Sequence, residues 1–63
     1  MQLREYLATN DLDVAPFAER LGVTPEAVRL WLAGKRIPRP RLIKRIVEAT
    51  DGAVRAVDFH EAA

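Results

Sequence analysis

The side chains best suited to chemistry are guanidinium and ammonium groups: Arg29, Lys35, Arg36, Arg39, Arg41, Lys44 and Arg45 run between Ala27 and Val47 with no acid among them. All nine acids lie outside that stretch, accompanied by Arg4, Arg20 and Arg55, so a formal net charge of +1 conceals a polarised chain. A charge run is often no more than a solvated helix face. This one starts on the free side of a short helical pattern and continues through a proline-containing loop, a distribution that suits the phosphates of a nucleic acid. Arg29 could form a surface ion pair with Glu26, worth only ~0.3–0.5 kcal/mol. Its two parallel donors also match the O6 and N7 acceptors of guanine, while Glu26 can accept from cytosine N4, and this reading is preferred for its setting.

Other chemistry is missing. The chain has no serine and no cysteine, and its glycines are isolated, so nucleophile triads, thiolate metal sites and phosphate-cradling loops are absent and no enzymatic activity is expected. His60 lies near Asp58 and Glu61, but one imidazole beside carboxylates in a chain end does not make a rigid ligand set. No metal and no cofactor is expected.

The elements that must position these groups are two short helices. Val14, Phe17, Ala18 and Leu21 recur at helical spacing, with Asp13 as a side-chain N-cap and Pro16 in the first turn, where its missing N–H leaves no bond unmade. Gly22 supplies the positive φ of a sharp turn. Thr24 is the next N-cap, Pro25 takes the first helical position, Glu26 faces the positive end of the helix dipole and Gly34 closes the helix. At about 100° per residue, Val28, Trp31 and Leu32 share one side and Glu26, Arg29, Leu30 and Ala33 the other. Trp31 could stack on a base, yet its place beside Val28 and Leu32 assigns it to the core.

This stretch, DVAPFAERLGVTPEAVRLWLAG with WLAGKRIP continuing it, resembles the helix-turn-helix of Cro-type phage repressors and their small bacterial relatives, including the YdaS-type antitoxins. Ala18, Gly22, Val28 and Trp31 carry the resemblance, which extends over residues 14 to 50, with the motif itself at 14 to 34. It implies an all-α, compact four- to five-helix domain of the lambda-repressor-like kind, regulating transcription as a repressor. The helix over 25 to 33 would enter the major groove of double-stranded DNA, with Thr24, Pro25, Glu26, Arg29, Leu30 and Ala33 as the base-reading set. Lys35, Arg36, Arg39 and Arg41 would contact phosphates. Many relatives carry an amide or hydroxyl where this chain has Pro25 and Glu26, so their amide-to-adenine contact has no counterpart at Pro25. Antitoxin relatives also raise the alternative of a module that neutralises a toxin-like protein partner.

Sixty-three residues, 49% hydrophobic and 6% aromatic, fit one aliphatic domain over 1–63. No apolar run is long enough to cross a membrane, and charges in MQLREYLATND exclude a signal peptide, so a cytoplasmic location is expected. Residues 2 to 9 pattern as a first helix with Leu3, Tyr6 and Leu7 inward and Arg4 and Glu5 outward, and Leu12 tucks in after it. KRIPRP is loop, anchored by Ile37; Pro40 opens a further helix with Leu42, Ile43, Ile46, Val47 and Thr50 on its inner face, ended by Asp51-Gly52. In the tail over 53–63, Val54, Val57 and Phe59 either cover the core or meet a second subunit as homodimer contacts, Phe59 most of all. Residues past His60 are expected to be disordered.

Overall fold

The punctuation of the sequence becomes four helices in a computed structural model, which describes residues 1–60; the expectation for residues 61 to 63 lies outside the described residues. The helices are α1 (Leu3–Thr9), α2 (Val14–Leu21), α3 (Pro25–Leu32) and α4 (Pro40–Ala49), followed by a 3-10 turn over Ala56–Phe59. No strand occurs among the described residues.

All four helices end in the same way. A residue with positive φ, Asp11 (52°), Gly22 (77°), Gly34 (73°) or Asp51 (55°), reverses the chain. Its N–H and that of the following residue return to carbonyls of the last turn. Aspartate tolerates the left-handed region better than most residues with a Cβ, which explains two of these stops without glycine. At the helix starts, Thr24 accepts from the Ala27 amide at 3.2 Å. Asp13 holds the N-cap position of α2, but its carboxylate accepts no hydrogen bond from the first turn, contrary to the sequence expectation. Exposed to water, it contributes only a favourable charge at the helix dipole.

α2 packs against both α3 and α4, and the 3-10 turn packs on α4. Phe17, Val28, Ile46 and Val54 are fully buried where these elements meet, each burial contributing ~1.5–3 kcal/mol. Leu3 and Leu7 close the core from α1, and the ring of Tyr6 lies tilted against Phe17 with centroids 6.4 Å apart. In the loop before α4 the anchor is Pro38, which is buried, while Ile37 is 52% exposed. The extended loop turns alternate residues to opposite sides, and the assignment of Ile37 as anchor is corrected accordingly.

Two polar groups organise the chain's end. Thr50 is buried; its hydroxyl donates to the Ile46 carbonyl at 2.8 Å and accepts from the Val54 amide at 3.1 Å. Asp58 is also buried and accepts from the Arg55 amide at 2.8 Å and from the Met1 ammonium at 3.0 Å. Those donors, the Arg55 amide first, hold its carboxyl below the usual carboxylate range.

Candidate nucleic-acid interface

α3 turns Val28 and Trp31 into the core and leaves Glu26 and Arg29 exposed, as is Ala33, the C-cap residue that follows the helix. Leu30, expected on the free face, is half-buried, because a face about 100° wide on an eight-residue helix leaves its edges against neighbouring elements. Thr24 is exposed at the helix start, but its oxygen is occupied by the Ala27 amide, leaving its O–H as the group available to a ligand. Pro25 is half-buried and has no donor, so apolar contact is all it can offer.

The expected competitor for Arg29 is not formed. No ion pair joins Glu26 to Arg29, and Arg29 makes no side-chain hydrogen bond, among the described residues. Its guanidinium is therefore uncommitted on an exposed helix face. Lys35, Arg36, Arg39 and Arg41 are all exposed as well. Lys35 follows Gly34 directly, Arg39 takes the N-cap position of α4 without a side-chain cap bond, and Arg41 lies in the first turn of α4. The positive end of the α4 dipole adds to these cations, so the segment from the end of α3 to the start of α4 favours anions.

Two arginines are exposed, as expected of outer helix faces, and are also engaged with main chain. Arg45, part of the acid-free run, donates Nη1 to the Leu21 carbonyl at 3.2 Å, and Arg4 of α1 donates Nη2 to the Leu32 carbonyl at 2.8 Å. Residue types alone could not reveal this, since the bonds span 24 and 28 residues.

Of the three tail residues, Val54 is fully buried within its own chain and is not available to a second subunit, so its assignment as a dimer contact is corrected. Its N–H donates to the Thr50 hydroxyl at 3.1 Å, and its side chain belongs to the core cluster against which Phe59 packs. Val57 is 46% exposed, and Phe59 is half-buried against the core. Phe59 also lines an open groove of about 310 Å³, together with Gln2, Trp31, Leu32, Arg36 and Ile37. His60 is exposed, and no group of metal-ligating residues occurs among the described residues. The Asp58 carboxylate is already held by its two donors, and Glu61 lies outside the described residues.

A family model described as helix-turn-helix matches residues 3–55, a span that includes all four helices. No match was found to a curated protein or to a solved structure.

Proposed function

The chain belongs to the helix-turn-helix family of the Cro/C1 type, a DNA-binding and non-enzymatic family of transcriptional regulators, and we propose that it is a sequence-specific repressor reading its operator with α3. The observation that carries this reading is the uncommitted Arg29 guanidinium on the face of α3 opposite Val28 and Trp31. In the major groove, Arg29 would donate to guanine O6 and N7, Glu26 would accept from cytosine N4, and Ala33 with the exposed edge of Leu30 would meet a thymine methyl. Thr24 and Pro25 would approach the bases from the helix start, by a hydroxyl donor and by apolar contact. Lys35, Arg36, Arg39 and Arg41 would bind phosphates, fixing register and affinity without reading sequence.

The same reading gives the protein a homodimeric form on a palindromic site, with Val57 and Phe59 as contacts and two recognition helices about one DNA turn, ~34 Å, apart. Selection of bound duplexes from a random library tests both parts. A recurrent G·C pair beside thymine in two inverted half-sites supports the reading; recovery of unrelated sequences contradicts base reading, and a single unrepeated half-site contradicts the dimer.

A further inference from the structure

Each helix of the motif ends at a carbonyl capped by an arginine from a helix outside the motif. Arg4 reaches from the first turn of α1 to the carbonyl of Leu32, the last residue of α3, at 2.8 Å. Arg45 reaches from α4 to the carbonyl of Leu21, the last residue of α2, at 3.2 Å, and lies alongside Gly22. Neither carbonyl is served by the chain reversal that follows it: after α2 the returning amides bond Glu19 and Ala18, and after α3 they bond Trp31 and Leu30. The arginines therefore take acceptors the turns leave open, at the negative ends of two helix dipoles.

We propose that Arg4 and Arg45 are positioning residues for DNA reading, which fix the ends of α3 and α2 against α1 and α4. The proposal rests on the reading that α3 contacts bases. Core packing through Val28 and Trp31 holds α3 in place, but apolar contacts are non-directional and tolerate small rolls and slides of a short helix. A charge-assisted hydrogen bond is directional, and the one at Leu32 acts three residues beyond Arg29. Bidentate donation to guanine tolerates displacement of only about 0.5 Å and 10–20°, so a restraint so close to Arg29 governs whether its two donors fit together. Arg45 acts on the other side of the turn, where it holds the end of α2 and with it the start of α3. This separates Arg45 from the phosphate-binding cations that surround it in the sequence.

The test compares the wild-type protein with Arg4→Ala, Arg4→Lys and Arg45→Ala, below their melting temperatures. Affinity is measured for a selected duplex and a random duplex across a salt series, and amide hydrogen exchange is measured without DNA. In Arg4→Ala, affinity for the selected duplex is expected to fall about five- to tenfold, just below the range for a hydrogen bond to a charged group, because this bond is exposed to water. Random-duplex affinity and the salt slope stay unchanged, exchange at Gly34 and Lys35 quickens, and Arg4→Lys restores most of the loss. Arg45→Ala is expected to behave alike, with faster exchange at Gly22 and Val23. Unchanged discrimination in folded Arg4→Ala overturns the proposal, as does parallel weakening on both duplexes with a shallower salt slope, which marks a phosphate contact. If the wild-type protein shows no preference between duplexes, base reading itself fails; exchange then decides the restraint alone, and unaltered rates at Gly34 and Lys35 overturn it.

Discussion

The Thr50 hydroxyl and the Val54 amide are joined by a buried hydrogen bond of 3.1 Å, and through it the end of α4 sets where the last apolar side chain of the core enters. Thr50→Val keeps shape and volume but leaves the Val54 N–H without an acceptor. The expected cost is ~1–3 kcal/mol, the penalty for an unsatisfied buried donor, read from denaturant unfolding. An unchanged unfolding midpoint would show that water reaches the Val54 amide.

Trp31 is 8% exposed and belongs to the core, which leaves little of its ring for a base. Trp31→Ala is expected to cost ~3–5 kcal/mol, comparable with the whole stability of a small domain, so the variant should be largely unfolded by circular dichroism at 25 °C. A well-folded variant with a normal thermal melt would reopen the assignment of Trp31 as a stacking residue.

Asp58 links acidity to stability. Its folded pKa is lowered, chiefly by the Arg55 amide and next by the Met1 ammonium, so its contribution is present above the unfolded value of about 3.9 and is lost as pH falls through the folded value. Asp58→Asn should be less stable than the wild-type protein at neutral pH, and the difference should narrow below about pH 4 as the wild-type carboxyl protonates. A difference independent of pH from 7 to 2 would mean that the charge of Asp58 does not matter.

As phosphate contacts, Lys35, Arg36, Arg39 and Arg41 would set the salt dependence of DNA binding. A dimer using about three or four of these cations per subunit should give a log–log slope of affinity on salt near −5 to −7. Replacing Arg36 or Arg39 with alanine should weaken selected and random duplexes alike and make the slope shallower. Affinity that barely changes with salt is incompatible with these residues as phosphate contacts.

Most of the fold is legible in the sequence because its signals are local. Gly22, the Thr24-Pro25 pair, Gly34 and Pro40 mark helix ends and starts, and the apolar spacing of α2, α3 and α4 selects the buried faces. The inward choice of Val28 and Trp31 and the outward choice of Arg29 follow from periodicity alone. What the sequence hides depends on which distant groups meet. Arg4 and Arg45 read as surface cations until the folded chain brings them to Leu32 and Leu21, and Asp58 reads as a tail carboxylate until Met1 arrives beside it. Ile37 and Pro38 are both apolar, and only the course of the loop decides which is buried. Val54 is hidden for a similar reason: after the reversal at Asp51 it enters the core with its N–H held by the Thr50 hydroxyl, while Val57 stays exposed.

The central claim is that the free guanidinium of Arg29 reads a base, and Arg29→Ala tests it most directly. Affinities of wild-type and variant protein for the selected duplex and for random duplex should be measured at one salt concentration. The loss expected on the selected duplex is ~1–3 kcal/mol, with much less on random duplex, because only base-specific contact is removed. Equal weakening on both would make Arg29 a phosphate contact and contradict the account, leaving DNA shape as the source of specificity.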